Sequence, residues 1–261
     1  MRYCVSGRQF YTVLKKADEI KVKYKDRERL IDFVEKLPNK TIILDLDEIE
    51  YDLNLKQLQM YKEKFNDFYL AIHDLRKVIE IKEYDIKWYW PYPVTSYYEL
   101  NQILRLNPSY VFLGAPLTSD LPKVRKLIPD NIKIRMVANC ASPQYLKTSI
   151  PFNNIIGSWV RPEDVEFYEL YVDCLEFDNL VNGEPSTRRE ETLLRIYQED
   201  KKWPGNLNLI INDLNVDVDN RLLPEEWSSI RSQCGMKCMS GLGCRFCNNV
   251  FRTAEIVKKL S

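Results

Sequence analysis

Residues 67–114 read DFYLAIHDLRKVIEIKEYDIKWYWPYPVTSYYELNQILRLNPSYVFLG, a stretch in which three short β-rich runs alternate with two helical patterns. The predicted elements are a strand at residues 67–72, a helix at 75–81, a strand at 86–90, a helix at 96–106 and a strand at 110–113. Ser96 precedes Glu99 at the spacing of a capping box, which marks the start of the second helix. Strands that alternate with helices in this way predict a parallel sheet with right-handed crossover connections.

The same alternation continues on both sides of this stretch. Further strands are predicted at residues 3–6, 41–45, 133–138, 154–159 and 173–177, and further helices at residues 25–36, 55–65, 162–170 and 187–198 and after Ser119. Eight strand-to-helix units in 261 residues favour an α/β fold, a (β/α)8 TIM-like barrel at the small end of its size range. The alternative is an open doubly wound sheet, but residues 6–10 read SGRQF and lack its Gly-rich phosphate loop. We therefore expect a barrel over residues 1–221 and a short metal-binding segment, packed on it, over residues 222–261.

Composition narrows the classes of function. The chain has 38 basic and 38 acidic residues, and this balance argues against a protein that coats nucleic acid nonspecifically. No apolar run approaches the roughly 20 residues that cross a membrane, and the N-terminus MRYCVSGRQF lacks the apolar region of a signal peptide. We therefore expect a cytoplasmic protein without a membrane partner, whose seven cysteines are free thiols or metal ligands.

The most specific chemical signal is a cluster of four cysteines near the C-terminus, in the sequence CGMKCMSGLGCRFC. Its predicted metal ligands are Cys234, Cys238, Cys244 and Cys247. Three glycines between them allow the tight backbone bends that bring four thiolates to one centre. A closed site of four thiolates suits zinc, and the C-x2-C pair is typical of a zinc knuckle. An iron–sulfur cluster of the 4Fe-4S type also takes four thiolates, so both metals stay open for this one site.

Two stretches before the cysteines resemble a known family. They are GSWVRPEDVEFYELYVDCLEFDN (residues 157–179) and RREETLLRIYQEDKKWPGNL (residues 188–207), and LPEEW follows at residues 223–227. Over roughly residues 100–250, the chain resembles the collagenase-like peptidase family U-thirty-two. The resemblance implies a TIM-like barrel.

The resemblance also implies a chemistry. Several members of the family look like oxygen-independent hydroxylases that act on quinone precursors, transfer RNA or ribosomal RNA, with prephenate as the oxygen donor in some. Those members hold an iron–sulfur cluster through four cysteines, and one related pair forms a heterodimer. The family places its cysteines just after a Glu-x-Phe within the barrel. Here Glu176 and Phe177 are followed by no cysteine before Cys234.

Four polar residues are candidate catalytic groups because they end predicted strands, where the chemistry of such barrels takes place. Asp45 ends the second predicted strand and could bind a cation or act as an acid or base. His73, the single histidine, follows the third strand, and histidine is the residue type most often used to transfer protons in catalysis. Arg161 could grip a carboxylate or a phosphate with two parallel hydrogen bonds, and Glu176 could be its partner. The competing interpretations are helix capping for Asp45 and local ion pairs for Arg161.

Three further residues are candidate substrate-binding groups. Trp90 and Tyr92 belong to the aromatic segment KWYWPYPVTSYY (residues 87–98), which could stack on a base or another flat ring. Packing of the strand against its neighbours explains the same aromatic residues equally well. Asn139 follows the sixth predicted strand and would face the same pocket.

Two functional hypotheses follow. The first is an iron–sulfur barrel enzyme of the U-thirty-two type, a hydroxylase or modifier of RNA or of a small aromatic substrate. The second is a non-catalytic barrel that zinc stabilises and that serves as a binding or assembly subunit. Peptidase activity in the literal sense is not expected, because the sequence has no nucleophile–base motif and one histidine. A partner chain or a homo-oligomer could complete the site.

Overall fold

The structure is a computed structural model that describes part of the chain. The described residues are 1–6, 11–28, 36–37, 39–46, 55–65, 67–114, 117–140, 159–177, 180–181, 184–212, 216–225, 227–232 and 257–259. All four cysteines of the predicted metal site, Cys234, Cys238, Cys244 and Cys247, lie outside these residues. The prediction of a metal-binding segment over residues 222–261 is therefore untested.

Eight parallel strands form a closed barrel in chain order, which confirms the prediction of a parallel α/β barrel. The strands are β1 (Arg2–Ser6), β2 (Glu19–Lys23), β3 (Thr41–Leu46), β4 (Asp67–Ile72), β5 (Lys87–Val94), β6 (Tyr110–Leu113), β7 (Lys133–Val137) and β8 (Cys174–Glu176). The barrel closes because β1 pairs with both β2 and β8, with Cys4 in register with Glu19 on one side and with Glu176 on the other. Seven of the eight predicted strands coincide with barrel strands.

The barrel strand that sequence reasoning missed is β2. Its sequence, EIKVK, alternates charged and apolar residues. Strands of a parallel sheet are usually apolar on both faces, so a strand with charges on one face does not resemble them. In this barrel, Glu19 is fully buried and faces the interior, whereas Ile20 and Val22 pack in the layer between the strands and the helices.

The predicted strand at residues 154–159 is wrong as a barrel strand. Residues 154–158 lie outside the described part of the chain, and Trp159 is described but belongs to no strand. The strands β7 and β8 pair directly with each other, and Arg135 is in register with Cys174. The predicted total of eight strands is nevertheless correct, because β2, which was not predicted, adds a strand between β1 and β3.

Helices follow most of the strands. They are α1 (Tyr11–Lys16), α2 (Leu55–Lys64), α3 (Arg76–Lys82), α4 (Tyr97–Arg105), α5 (Leu121–Leu127), α6 (Val165–Glu169), α7 (Thr187–Leu194) and α8 (Trp227–Ser232). The predicted capping box is present at the start of α4, where Ser96 and Glu99 each accept a backbone N–H of the other. The helix predicted at residues 25–36 begins instead as a 3-10 turn at Tyr24–Asp26, and residues 29–35 are outside the described part. Among the described residues, no helix is long and apolar enough to cross a bilayer.

The interior of the barrel has its own small apolar cluster, separate from the main core between the strands and the helices. It consists of Cys4, Ile43, Tyr69, Ala71, Tyr89, Tyr110 and Cys174. The thiols of Cys4 and Cys174 are fully buried, as expected from the sequence, and burial raises the pKa of Cys4 to about 12. These two cysteines therefore act as small apolar side chains rather than as nucleophiles.

Candidate functional site

Polar side chains from five strands meet at the carboxyl end of the barrel. We call this group the mouth; it comprises Lys21 of β2, Asp45 of β3, His73 directly after β4, Tyr92 of β5 and Glu176 of β8. Parallel strands that alternate with helices all end on the same side of the barrel, and enzymes with this fold carry their active sites there. The mouth includes Asp45, His73 and Glu176, which were predicted as catalytic groups.

His73 connects two other members of the mouth. One ring nitrogen, Nε2, lies 2.6 Å from Oδ1 of Asp45, and the other, Nδ1, lies 3.0 Å from the hydroxyl of Tyr92. Asp45 is nearly buried, so it holds the imidazole ring in one orientation. The neighbouring Asp74 does not share this role, because its carboxylate binds Arg76. A carboxylate that orients an imidazole is the usual arrangement of a general acid or base.

Lys21 and Glu176 form the second charged pair of the mouth. Burial alone would lower the pKa of Lys21, but the Glu176 carboxylate holds it well above its ordinary value. Burial likewise works to raise the pKa of Glu176, whereas Lys21 and Arg135 together bring it below its ordinary value. Both groups are therefore charged at neutral pH. The predicted pairing of Glu176 with Arg161 is wrong, because Lys21 and Arg135 occupy its two oxygens.

Arg135 continues the charged contacts below the mouth. It is fully buried, and its guanidinium reaches Glu176 at 3.3 Å and also forms an ion pair with the buried Glu19. Glu19 in turn lies 3.3 Å from Arg2 and accepts a hydrogen bond of 2.7 Å from the hydroxyl of Tyr110. The result is a chain of alternating charges along the barrel axis.

Sequence reasoning missed Lys21, Arg135 and Glu19, although a signal for them exists. In EIKVK and in KIRMV, charged residues alternate with apolar ones at the period of a strand. Because the outer face of a barrel strand packs against helices, this alternation places the charges inside the barrel. Charges inside a barrel of this size must pair with one another or with a ligand.

An aromatic cleft opens beside the mouth. Its volume is about 430 Å³, and its lining includes Leu75, Trp90, Tyr92, Pro93, Val94, Thr95, Tyr98, Glu99, Gln102 and Ile103. The rings of Trp90 and Tyr92 have centroids 5.0 Å apart, and the ring of Tyr98 is 74% exposed. Glu99 is the one charged residue among the described residues of this lining, and its carboxylate accepts hydrogen bonds from the backbone N–H groups of Thr95 and Ser96. The cleft is therefore an apolar surface whose polar edge, the Tyr92 hydroxyl, contacts His73.

The other two predicted site residues, Arg161 and Asn139, make structural contacts with neighbouring segments of the chain. Arg161 is buried; it binds both oxygens of Asp164 and donates to the carbonyls of Pro224 and Glu225. These bonds attach the segment before α8 to the loop that follows β7. Asn139 is buried, and its backbone carbonyl accepts a hydrogen bond of 2.7 Å from the backbone N–H of Asn212.

Metal binding cannot be judged at the predicted ligands, because they lie outside the described residues. In the part of the chain that the structure does describe, no three His, Cys, Asp or Glu side chains are grouped so as to hold a metal ion. The last described helix before the cysteines in the sequence is α8. Trp227 at the start of α8 stacks on Trp159 with ring centroids 5.8 Å apart.

The protein is thus a parallel α/β barrel with a group of polar residues, the mouth, at its carboxyl end. No family model and no curated protein matches the chain. Among solved structures, the chain is similar to a cube-shaped, highly porous protein cage designed by fusing symmetric oligomeric domains. The identity is 9% and the TM-score 0.44, over 75% of this chain and 69% of that chain. This likeness is too loose to assign a family or a function.

Proposed function

We propose that the protein is a barrel enzyme that carries out acid–base chemistry at the mouth. The observation that carries this proposal is the contact of His73 with Asp45 on one side and Tyr92 on the other. A histidine oriented by a carboxylate can take a proton from a substrate and return it. Lys21, which Glu176 keeps charged, would stabilise negative charge that develops on the substrate during the reaction.

The aromatic cleft supports a small, flat substrate. A ring held between Trp90 and Tyr98 would lie beside the Tyr92 hydroxyl, which contacts His73. The cleft residues in the described part of the chain include no lysine or arginine, whereas a groove for a nucleic acid strand needs cations for the phosphates. We therefore favour a small aromatic molecule over RNA as the substrate.

The C-terminal cysteines would add a metal to this barrel. Four thiolates form a donor set that fits both a 4Fe-4S cluster and zinc. A bound iron–sulfur cluster would supply electron transfer, as an oxygen-independent hydroxylase of the U-thirty-two type requires. The alternative remains a zinc-stabilised barrel that serves as a binding or assembly subunit, with a partner chain or as a homo-oligomer.

The acid–base proposal is tested with a set of small aromatic compounds and mass-spectrometric detection of products. Wild-type protein should convert at least one compound, and His73→Gln and Asp45→Asn should each reduce the rate by about 10²–10⁴-fold. Asp74→Asn is the matched control, because this neighbouring carboxylate binds Arg76 and not His73. Conversion that persists in His73→Gln, or an equal loss in Asp74→Asn, would show that the assignment is wrong.

The nature of the metal is tested independently of activity. Protein purified without oxygen should be brown and contain iron and sulfide if the cluster proposal is right. A colourless protein with one zinc per chain would refute the hydroxylase and favour the zinc-stabilised barrel. The acid–base proposal for the mouth survives either result, because none of its residues is a predicted metal ligand.

A further inference from the structure

We propose that the mouth binds the carboxylate of a small anionic substrate through Tyr89, Arg135 and Lys21. This inference rests on the proposed function, since it names the chemical class of the substrate for the same site. It concerns the floor of the mouth inside the barrel, whereas the aromatic cleft lies beside the mouth. None of these three residues was singled out as a ligand-binding group in the sequence.

Two buried donors point to a ligand. The hydroxyl of Tyr89 and Nε of Arg135 are both inaccessible to solvent, and neither has a hydrogen-bond partner among the described residues. Buried polar atoms nearly always have a partner, so a buried donor without one marks a place for a ligand or an ordered water. Two such donors in contacting side chains are an unusual coincidence, because the Arg135 guanidinium lies 4.9 Å from the centre of the Tyr89 ring.

The surroundings of Tyr89 favour an anion. Burial has the largest influence on the pKa of Tyr89 and raises it; among the charges, those of Lys21 and Arg135 come first and lower the pKa, and those of Glu176 and Asp45 follow and raise it. The two cations thus act on it more strongly than the two carboxylates. Lys21 has three N–H groups, and its described contact uses one of them on Glu176. The Tyr89 hydroxyl, Nε of Arg135 and the remaining N–H groups of Lys21 could therefore all donate to one acceptor.

The charge balance matches one carboxylate. The connected chain of ion pairs contains four cations, Arg2, Arg135, Lys21 and Lys87, and three anions, Glu19, Glu176 and Asp67. Asp45, the next carboxylate, binds His73 and lies outside this chain. The excess of one positive charge suits a carboxylate, which has one negative charge and two oxygens to accept hydrogen bonds.

The mouth is open to solvent at Lys21, the most exposed of these three residues. The side chains of Lys21 and Glu176 are 26% and 13% exposed, although both lie at the end of a barrel whose interior is otherwise closed. Tyr89 lies beneath them and is fully buried. A carboxylate that enters at Lys21 would therefore reach the Tyr89 hydroxyl only after the side chains above it move apart.

The test measures ligand binding and needs no knowledge of the reaction. Binding of 4-fluorobenzoate is compared with that of 4-fluorobenzamide by fluorine NMR, because the two probes share their shape and differ in charge. Wild-type protein should bind the benzoate at least about tenfold more tightly, the effect of one hydrogen bond to a charged group. Tyr89→Phe should reduce this preference severalfold but not abolish it, because Lys21 and Arg135 remain. Equal binding of the two probes, or no binding of the benzoate, would overturn the proposal.

Two control variants separate this proposal from the acid–base proposal. Tyr98→Phe changes a hydroxyl of the aromatic cleft and should leave the preference for benzoate intact. His73→Gln should also retain it, so the carboxylate site could stand even if the acid–base proposal failed. Loss of the preference in Tyr98→Phe would place the probe in the cleft and contradict the carboxylate site.

Thermal unfolding of the ligand-free protein provides a second criterion. If the Tyr89 hydroxyl lacks a partner, its removal in Tyr89→Phe should leave the melting temperature unchanged or raise it. A clear decrease would show that the hydroxyl has a structural partner, such as an ordered water, and would overturn its assignment to a ligand.

Discussion

Removal of the Arg135 guanidinium should show how much the buried ion pairs contribute to the stability of the barrel. In Arg135→Met, the side chain keeps much of its volume but loses the positive charge between Glu19 and Glu176. Glu19 is fully buried and would keep Arg2 at 3.3 Å, the Tyr110 hydroxyl at 2.7 Å and the Cys174 thiol as described partners. Breaking a buried ion pair from one side costs about 3–5 kcal/mol in free energy of unfolding. Because three partners of Glu19 remain, we expect a loss at the lower end of this range, about 3 kcal/mol.

Urea unfolding followed by tryptophan fluorescence measures this loss. For a domain of this size, with a dependence of about 3 kcal/mol per molar urea, the midpoint should fall by about 1 M. The double variant Glu19→Gln with Arg135→Met should recover most of the loss, because it leaves no buried charge between these two positions. Arg76→Met is the matched control, since Arg76 is exposed and pairs with Asp74, and its midpoint should not move.

The reasoning fails if Arg135→Met shifts the midpoint no further than Arg76→Met. It also fails if the double variant is less stable than Arg135→Met alone. Either result would mean that water or another group already compensates the charge of Glu19.

Three further predictions concern acid, the C-terminal segment and the metal. Because the pKa values of Glu19 and Glu176 are lowered in the folded protein, their stabilisation is complete above the ordinary glutamate pKa of about 4.3 and is lost as pH falls through the folded values. The urea midpoint should therefore be lower at pH 3 than at pH 5, and an unchanged midpoint would contradict the pairing. Arg161→Met removes the donors that hold residues 224–225, so limited proteolysis should cleave there sooner than in wild type. Cys244→Ser should lower the metal content per chain measured by elemental analysis, while Cys140→Ser should leave it unchanged; equal effects would argue against the four-cysteine site.

The sequence predicted the barrel through elements whose apolar pattern is local. The strands β3, β4 and β6 are apolar runs bounded by polar residues, and their positions agree with the prediction within one residue. The capping box at Ser96 likewise needs only residues within one helical turn. Strand β2 could not be found in this way, because its inner face is charged and those charges are compensated by β7 and β8.

The sequence predicted part of the candidate site, because some of its residues can be recognised from their local position in the chain. Asp45, His73 and Glu176 were recognisable because each ends a strand, and strand ends of a parallel barrel converge. The contact of His73 with Asp45 joins residues 28 positions apart, and that of Arg135 with Glu19 joins residues 116 positions apart. Contacts between residues so far apart in the chain cannot be recognised from a short stretch of sequence. Arg161 shows the opposite case, since its partner Asp164 is three residues away in the same turn.

By itself, the sequence determined the class of fold, the order of most strands and the presence of a four-cysteine cluster, because each depends on spacing along the chain. Only the tertiary structure decided which charges meet. Closure of the barrel brings β2, β7 and β8 around one interior, where Lys21, Arg135 and Glu176 must satisfy one another in the absence of bulk water. The same closure buries the Tyr89 hydroxyl without a described partner and thereby marks the floor of the mouth as a site for a ligand.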